Sequence, residues 1–284
     1  MTLEQCKISS IGRLRSEFPD AEASWMVRMI FEHLLGYSQV DMAIKSDEPV
    51  SDFISSKISS IIDRLLTHEP IQYIFGETTF YGLRLKVTPD VLIPRPETEE
   101  LVDMIVKDAA DRPDLRVLDV CTGSGCIAIA LARNLRFPIV EAIDLSPEAL
   151  EIANDNIAAT RTNVKTIQAD ALHLKPSPDS FDVIVSNPPY IADSERSTMD
   201  SNVIDHEPSM ALFVPDSDPL IFYTAICSYA KTALSSGGRI YFELNPLYAD
   251  RLASQMSADG WQEVSLYRDM QSAVRFLSAI CPEK

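Results

Sequence analysis

Through the first 75 positions apolar residues recur every three to four places, the period of amphipathic helices. Trp25, Val27, Met29, Ile30, Leu34 and Leu35 form one such set, and Ile54, Ile58, Ile61, Ile62, Leu65 and Leu66 another. Pro19-Asp20, Gly36 and Glu48-Pro49 punctuate them, so the pattern predicts a small helical domain over 1–75. The period then changes. Residues 78–87 alternate apolar and polar side chains around Gly82, which reads as a β-hairpin linker over 76–94. Prolines and acids in Pro94-Arg95-Pro96-Glu97-Thr98-Glu99-Glu100 precede Leu101, Val102, Ile105 and Val106, a helix start.

From 115 onward β-rich runs (115–120, 138–143, 164–168, 181–186) alternate with helical ones (124–134, 147–159). A helix near 220–234, Gly237-Gly238, a strand at 239–244, a helix near 248–258 and final strands at 262–267 and 273–279 complete the chain. Alternation of this kind predicts an α/β fold over 95–284, a Rossmann-like parallel sheet with helices on both faces. There is no internal repeat and no low-complexity tract.

Composition narrows the function. With 284 residues and 46% hydrophobic content the chain can bury a substantial core. Its net charge of −17 works against a broad phosphate-contacting surface, so a direct nucleic-acid partner is disfavoured. Cys6, Cys121, Cys126, Cys227 and Cys281 form no CxxC pair and have no histidine at zinc-finger spacing, which signals neither a disulfide framework nor a metal site. No run approaches the length of a membrane span, and the N-terminus lacks a basic segment followed by an apolar one. The expectation is a protein of the reducing cytoplasm.

Chemistry gathers at the strand ends. The first strand of the alternating region ends in Asp119 and runs through Cys121-Thr122-Gly123-Ser124-Gly125 into a helix, a turn whose glycines let a ligand approach the backbone. Gly123, Gly125 and Ala128 also fit the dinucleotide pattern GxGxxA. Asp144 closes the second strand, and because Ser146 and Pro147 can start the next helix, Asp144 is free to accept from two ribose hydroxyls. Asp170 is expected to close the third strand, where a carboxylate can accept from an adenine amino group. None of His33, His68, His173 and His206 falls at a strand end with a partner in sequence; His206, beside Glu207-Pro208, is retained as a pocket-edge candidate.

The fourth strand runs into Asn187-Pro188-Pro189-Tyr190. Two prolines fix two φ angles and remove two donors, leaving the Asn187 and Pro188 carbonyls available to a cleft beside an amide side chain and an aromatic ring. Such a corner can grip a flat –NH2 group, with Asn187 and the Pro188 carbonyl each accepting one N–H and Tyr190 stacked on the plane. Positioning of this kind can supply roughly 7–11 kcal/mol of barrier lowering, against roughly 3–5 kcal/mol for a general base, so no dedicated base is required.

Taken together, Ile93-Pro94-Arg95-Pro96-Glu97-Thr98-Glu99-Glu100-Leu101, Thr122-Gly123-Ser124-Gly125, Ser186-Asn187-Pro188-Pro189-Tyr190 and Glu207-Pro208-Ser209-Met210-Ala211-Leu212 resemble the blocks of one family. It is the class I S-adenosylmethionine-dependent methyltransferases, and within them the protein-glutamine methyltransferases of peptide chain release factors. The likeness covers nearly the whole chain. It implies that Asp119, Cys121, Thr122, Gly123, Ser124, Gly125, Asp144, Asp170, Ala171 and Asn187 hold S-adenosylmethionine and its product S-adenosylhomocysteine. It implies that Asn187, Pro188, Pro189 and Tyr190 hold the glutamine of a Gly-Gly-Gln loop, with Asn187, Pro188 and Tyr190 as catalytic residues. The N-terminal helices would dock the release factor, the chain acting as a monomer. Arg95 and Glu97 closing over the donor is a secondary expectation. Two positions depart from the family pattern: Ser272 stands where glycine is common, and Asn245-Pro246 follow Leu244 where many members carry glycine. Three rival readings remain at this stage: an adenine-amino nucleic-acid methyltransferase, an NAD-dependent oxidoreductase, and a non-catalytic module that keeps the donor fold.

Overall fold

The computed structural model describes residues 1–175, 177–178 and 180–282. Its contacts divide the chain into two units, Met1–Gly76 with Ser201–His206, and Glu77–Asp200 with Glu207–Lys284.

The first unit is built from α1 (Leu3–Leu14), α2 (Asp20–Leu35), α3 (Gln39–Ile44), α4 (Asp52–Leu65) and α5 (Ile71–Phe75). Thr2 starts α1 with a capping box, its hydroxyl accepting from Gln5 N while the Gln5 side chain accepts from Thr2 N. Gly36 ends α2 at φ +67°, and its N–H donates to Glu32 O. Leu14, Ile30, Phe31, Ile58, Ile62 and Leu65 form the core of this unit. Trp25, one of the periodic positions, stays 41% exposed, because Ala23, Met26, Val27, Ile30 and Phe31 define the buried stripe of α2.

The second unit begins with the hairpin of β1 (Glu77–Phe80) and β2 (Leu83–Lys86), followed by α6 (Pro96–Asp108). Phe80, Leu83 and Leu85 share a core with Leu101, Val102 and Ile105 of α6, so the hairpin packs as part of this unit. Next come β3 (Arg116–Val120), α7 (Cys126–Asn134), β4 (Ile139–Asp144), α8 (Pro147–Thr160), β5 (Val164–Gln168), β6 (Phe181–Ser186) and β7 (Ile191–Ala192). After α9 (Ser201–Ile204), which counts with the first unit, come α10 (Ser209–Leu212), β8 (Phe213–Val214), α11 (Ile221–Ala233), β9 (Leu234–Glu243), α12 (Ala249–Ala258), β10 (Gln262–Arg268) and β11 (Val274–Ile280).

The main sheet has the order β10-β11-β9-β6-β3-β4-β5. From β5 to β9 neighbours run parallel, whereas β11 is antiparallel to β9 and β10 to β11. The antiparallel edge departs from the all-parallel expectation for a simple reason. Residues 269–273 between β10 and β11 are too few for the crossover that a parallel pair needs. A second departure is β9, which starts at Leu234 because Gly237, at φ +71°, lets 235–238 bulge out between the Phe181↔Leu234 and Val183↔Arg239 pairs. β4 lies on one side of β3 and β6 on the other. That order reversal opens a crevice at the carboxyl ends of these strands, the usual ligand position in open α/β sheets.

Among the described residues no helix is long and apolar enough to cross a membrane, and no group of His, Cys, Asp and Glu is placed to hold a metal ion.

Candidate active site

A cavity at this crevice is walled by the turn after β3, the end of β4, the segment after β5 and the corner after β6. Of the residues singled out in the sequence, it brings together Cys121, Thr122, Gly123, Ser124, Asp144, Asp170, Ala171, Asn187 and Pro189. Asp119, Gly125, Pro188 and Tyr190 are not on its wall.

Asp119 lies beneath the turn. Its Oδ2 accepts from Thr122 Oγ1 at 2.6 Å and from Ala128 N at 3.1 Å, tying the turn to the start of α7. Its Oδ1 is buried and has no partner among the described residues. Burial pushes its carboxyl up to about 7, against the lowering effect of those two donors and with the Asp144 charge adding to the rise. Gly125 serves packing: at φ +80°, a Cβ there would stand 3.2 Å from Ala153 Cβ and from Ile129 Cδ1. Gly123, at φ +53°, has open space where a Cβ would be.

Asp144 accepts from Gly123 N at 2.8 Å through Oδ2 and from Ser146 N at 3.0 Å through Oδ1. Beyond these bonds the carboxylate keeps acceptor capacity for a ligand's hydroxyls. Ser146 does cap α8, its Oγ accepting from Ala149 N at 3.0 Å. Burial raises the Asp144 carboxyl, opposed by backbone N–H groups of Gly123, Ser146 and Leu145. Asp170 does not close β5, which ends at Gln168; it sits in the following turn and accepts from Leu172 N at 2.9 Å. His173 Nδ1 lies 2.7 Å from Asp170 Oδ2, so this histidine does have a partner after a strand, contrary to the sequence expectation. That hydrogen bond is the main cause holding the Asp170 carboxyl low, with the Leu172 N–H second.

The corner after β6 is anchored by Ser186, whose hydroxyl donates to Val120 O at 2.6 Å. Asn187 Nδ2 donates to Thr98 Oγ1 at 3.3 Å, and Thr98 Oγ1 donates to Glu243 Oε2 at 2.7 Å. Among the described residues no protein group donates to Asn187 Oδ1 or to the Asn187 and Pro188 carbonyls. Tyr190 turns away from the wall. Its ring packs on the core that includes Tyr223 and Phe242, and its hydroxyl donates to Glu243 Oε1 at 3.2 Å. This revises the expectation that it stacks on the ligand; Pro189 supplies the apolar wall instead. Burial raises the Glu243 carboxyl, against the Thr98 hydroxyl, the Arg275 charge and the Tyr190 hydroxyl.

Arg95 is on the wall and is held by Glu207, which pairs with its guanidinium and accepts from Ile93 N at 3.1 Å. Glu97 is not on the wall. His206 is corrected as a pocket-edge candidate: it counts with the first unit, its Nε2 3.1 Å from Thr67 O, while its neighbour Glu207 is the buried group of the second unit. Thr98, Glu207 and Glu243 were missed as site residues in the sequence. Glu243 ends an apolar strand much as Asp144 does, and that signal was there to be used. The departures have structural accounts. Ser272 takes the left-handed φ of +70°, and Asn245 Nδ2 donates to Tyr190 O at 3.2 Å and Glu195 Oε1 at 2.9 Å, holding the corner from behind.

The donor set fits a nucleoside without phosphates. Asp144 and Asp170 offer acceptors, and Ile143, Ala171 and Phe222 add apolar surface. Among the described residues the one wall cation is Arg95, already paired with Glu207. Gly123 N is taken by Asp144 and Gly125 N by Thr122 O, so neither glycine N–H of the turn is left free for a pyrophosphate.

Comparison with known proteins agrees with this chemistry. Residues 117–205 match the family model of a methyltransferase domain, and 12–76 match that of the PrmC N-terminal domain. The chain is 40% identical over 267 residues to a release factor glutamine methyltransferase of Bacteroides thetaiotaomicron, covering 94% of this chain and 95% of that protein. It is 35% identical to the one of Flavobacterium psychrophilum, with 98% of each covered. A crystal structure of a methyltransferase from Pyrococcus furiosus shares the fold at a TM-score of 0.54 and 18% identity, covering 79% of this chain and 100% of that one. By identity and by coverage alike, the chain belongs to the release factor glutamine methyltransferase family.

Proposed function

We propose that this chain transfers a methyl group from S-adenosylmethionine to the side-chain amide nitrogen of the glutamine in the Gly-Gly-Gln loop of peptide chain release factors. The observation that carries the reading is the corner of Asn187 and Pro188, three oxygens without a protein donor beside a cavity rimmed by carboxylates. Acceptors are what a primary amide needs. Its nitrogen is a poor nucleophile, and positive charge grows on it as the new bond forms; Asn187 Oδ1 and the Pro188 carbonyl each accept one N–H, orient the nitrogen and stabilise that charge.

Cys121, Thr122, Gly123, Ser124, Asp144, Asp170 and Ala171 hold the donor, with Asp144 on the ribose hydroxyls and Asp170 on the adenine amino group. The bound donor supplies an electrophilic methyl on a sulfonium. Asp119 and Gly125 keep the turn in shape, Pro189 covers the amide, and Tyr190 braces the corner from the core. The reading further takes 1–75 as the release-factor docking domain, 76–94 as the hairpin and 95–284 as the catalytic domain, in a cytoplasmic monomer without direct nucleic-acid contacts.

The test is mass spectrometry of a release factor incubated with the purified chain and donor: one added methyl on the Gly-Gly-Gln glutamine is expected. Asn187→Ala is expected to lose transfer yet bind S-adenosylhomocysteine as the parent does. Methyl transfer to an oligonucleotide adenine in place of the glutamine would reject the reading.

A further inference from the structure

We infer that Thr98 and Glu243 are positioning residues that lock the Asn187 side chain with its oxygen, not its NH2 group, presented to the substrate. The inference rests on the reading above, in which Asn187 receives the glutamine amide. An asparagine side chain has nearly the same shape either way round, but the two orientations have opposite chemistry. With the oxygen outward it accepts a substrate N–H; with the NH2 outward it sets donor against donor. Something in the protein has to decide between them.

The decision is made by counting protons. Glu243 is 2% exposed at the end of β9 and receives two hydroxyl donors, Thr98 at Oε2 (2.7 Å) and Tyr190 at Oε1 (3.2 Å). A third hydroxyl, that of Tyr223, donates to its backbone carbonyl at 3.1 Å and fixes the strand end. Thr98 is itself 2% exposed, and a hydroxyl has a single proton. Once that proton is committed to Glu243, only lone pairs remain for Asn187 3.3 Å away, and only an N–H satisfies a lone pair. Asn187 therefore turns Nδ2 toward Thr98, and its Oδ1 is left as the acceptor on the cavity side. The relay joins the start of α6, the end of β6 and the end of β9, three elements far apart along the chain.

Thr98→Val tests this because valine keeps the shape of threonine and loses the hydroxyl. Expected is a fall in kcat of about thirtyfold or more, with the Kd for S-adenosylhomocysteine within about twofold of the parent and a cooperative thermal transition retained. Thr98→Ser, which restores the hydroxyl, is expected to recover kcat to within about threefold. Glu243 acts through Thr98, so Glu243→Met should lower kcat in the parent but add little in the Thr98→Val background. Should Glu243→Met fail to fold, the Thr98 pair still decides. A Thr98→Val enzyme with parental kcat, a serine variant as slow as the valine one, or a kcat loss matched by an equal loss of donor affinity would each overturn the inference. A parent chain that binds S-adenosylhomocysteine but never methylates the glutamine would sink the functional reading instead.

Discussion

Replacing Asp144 with alanine separates a ligand-holding acid from a structural one. In the parent one carboxylate oxygen accepts from Gly123 N at 2.8 Å and the other from Ser146 N at 3.0 Å, and the proposed function gives their remaining acceptor capacity to the nucleoside. Two hydrogen bonds to a charged acceptor are worth roughly 1.5–3 kcal/mol each. Water entering the vacated space takes up part of that, so the low end of the sum, about 3 kcal/mol, is the appropriate figure; it corresponds to roughly 150-fold in Kd. Isothermal titration with S-adenosylhomocysteine measures it. Ser146→Ala is the matched control, because Ser146 also lines the cavity but its hydroxyl is occupied in capping α8. That change should cost about 1 kcal/mol of stability in a urea titration and leave the Kd within about threefold. A Kd for Asp144→Ala within threefold of the parent would refute the assignment, since it would mean that this remaining capacity meets only solvent.

Other consequences are open to measurement. Gly125→Ala forces an L side chain into φ +80° and against Ala153 and Ile129 at 3.2 Å, so a loss of roughly 1–3 kcal/mol in urea unfolding is expected; an unchanged midpoint would show that α7 and α8 can part freely. Glu207→Gln weakens the tie that holds Arg95 and Ile93, and should lower the thermal midpoint by a few degrees and raise the KM for the donor, a parental KM counting against Arg95 as a wall residue. Asp119 yields a pH prediction. Its folded carboxyl is pushed up to about 7 while the unfolded one titrates near the ordinary value of about 4, so the native state holds the proton longer. Stability must then fall as pH rises between about 4 and 7, and Asp119→Asn should remove that fall; parallel stability curves from pH 4 to 8 for the two proteins would contradict it.

The corner at Asn187 and the acid at Asp144 were legible in the sequence because their position at a strand end and their chemistry are both local. The residues that give them orientation were not. Thr98 is 89 residues from Asn187, Glu207 is 112 from Arg95, and their meeting depends on which strands lie next to one another. The fold class followed from periodicity, yet the antiparallel edge of β11 and β10 turned on the length of one connection. Tyr190 was misjudged because the sequence displays an aromatic ring beside a cleft but not the buried carboxylate that draws its hydroxyl the other way. Asp170 and His173 meet in the turn beyond the end of β5 at Gln168, a pairing that a three-residue spacing in a loop does not announce.

The wall of this cavity also carries two thiols, those of Cys121 and Cys126. A sulfonium donor is an alkylating agent, and a thiolate is the side-chain group that it would attack most readily. Burial first, and then the negative field of Asp144 and Asp119, push the Cys121 thiol far above its ordinary range; burial with the Asp119 charge takes Cys126 to about 12. Both sulfurs therefore keep their protons at neutral pH. Burial, reinforced by the nearby acids, thus protects the enzyme from self-inactivation by its own reagent, and iodoacetamide should label neither position at neutral pH while the fold is intact.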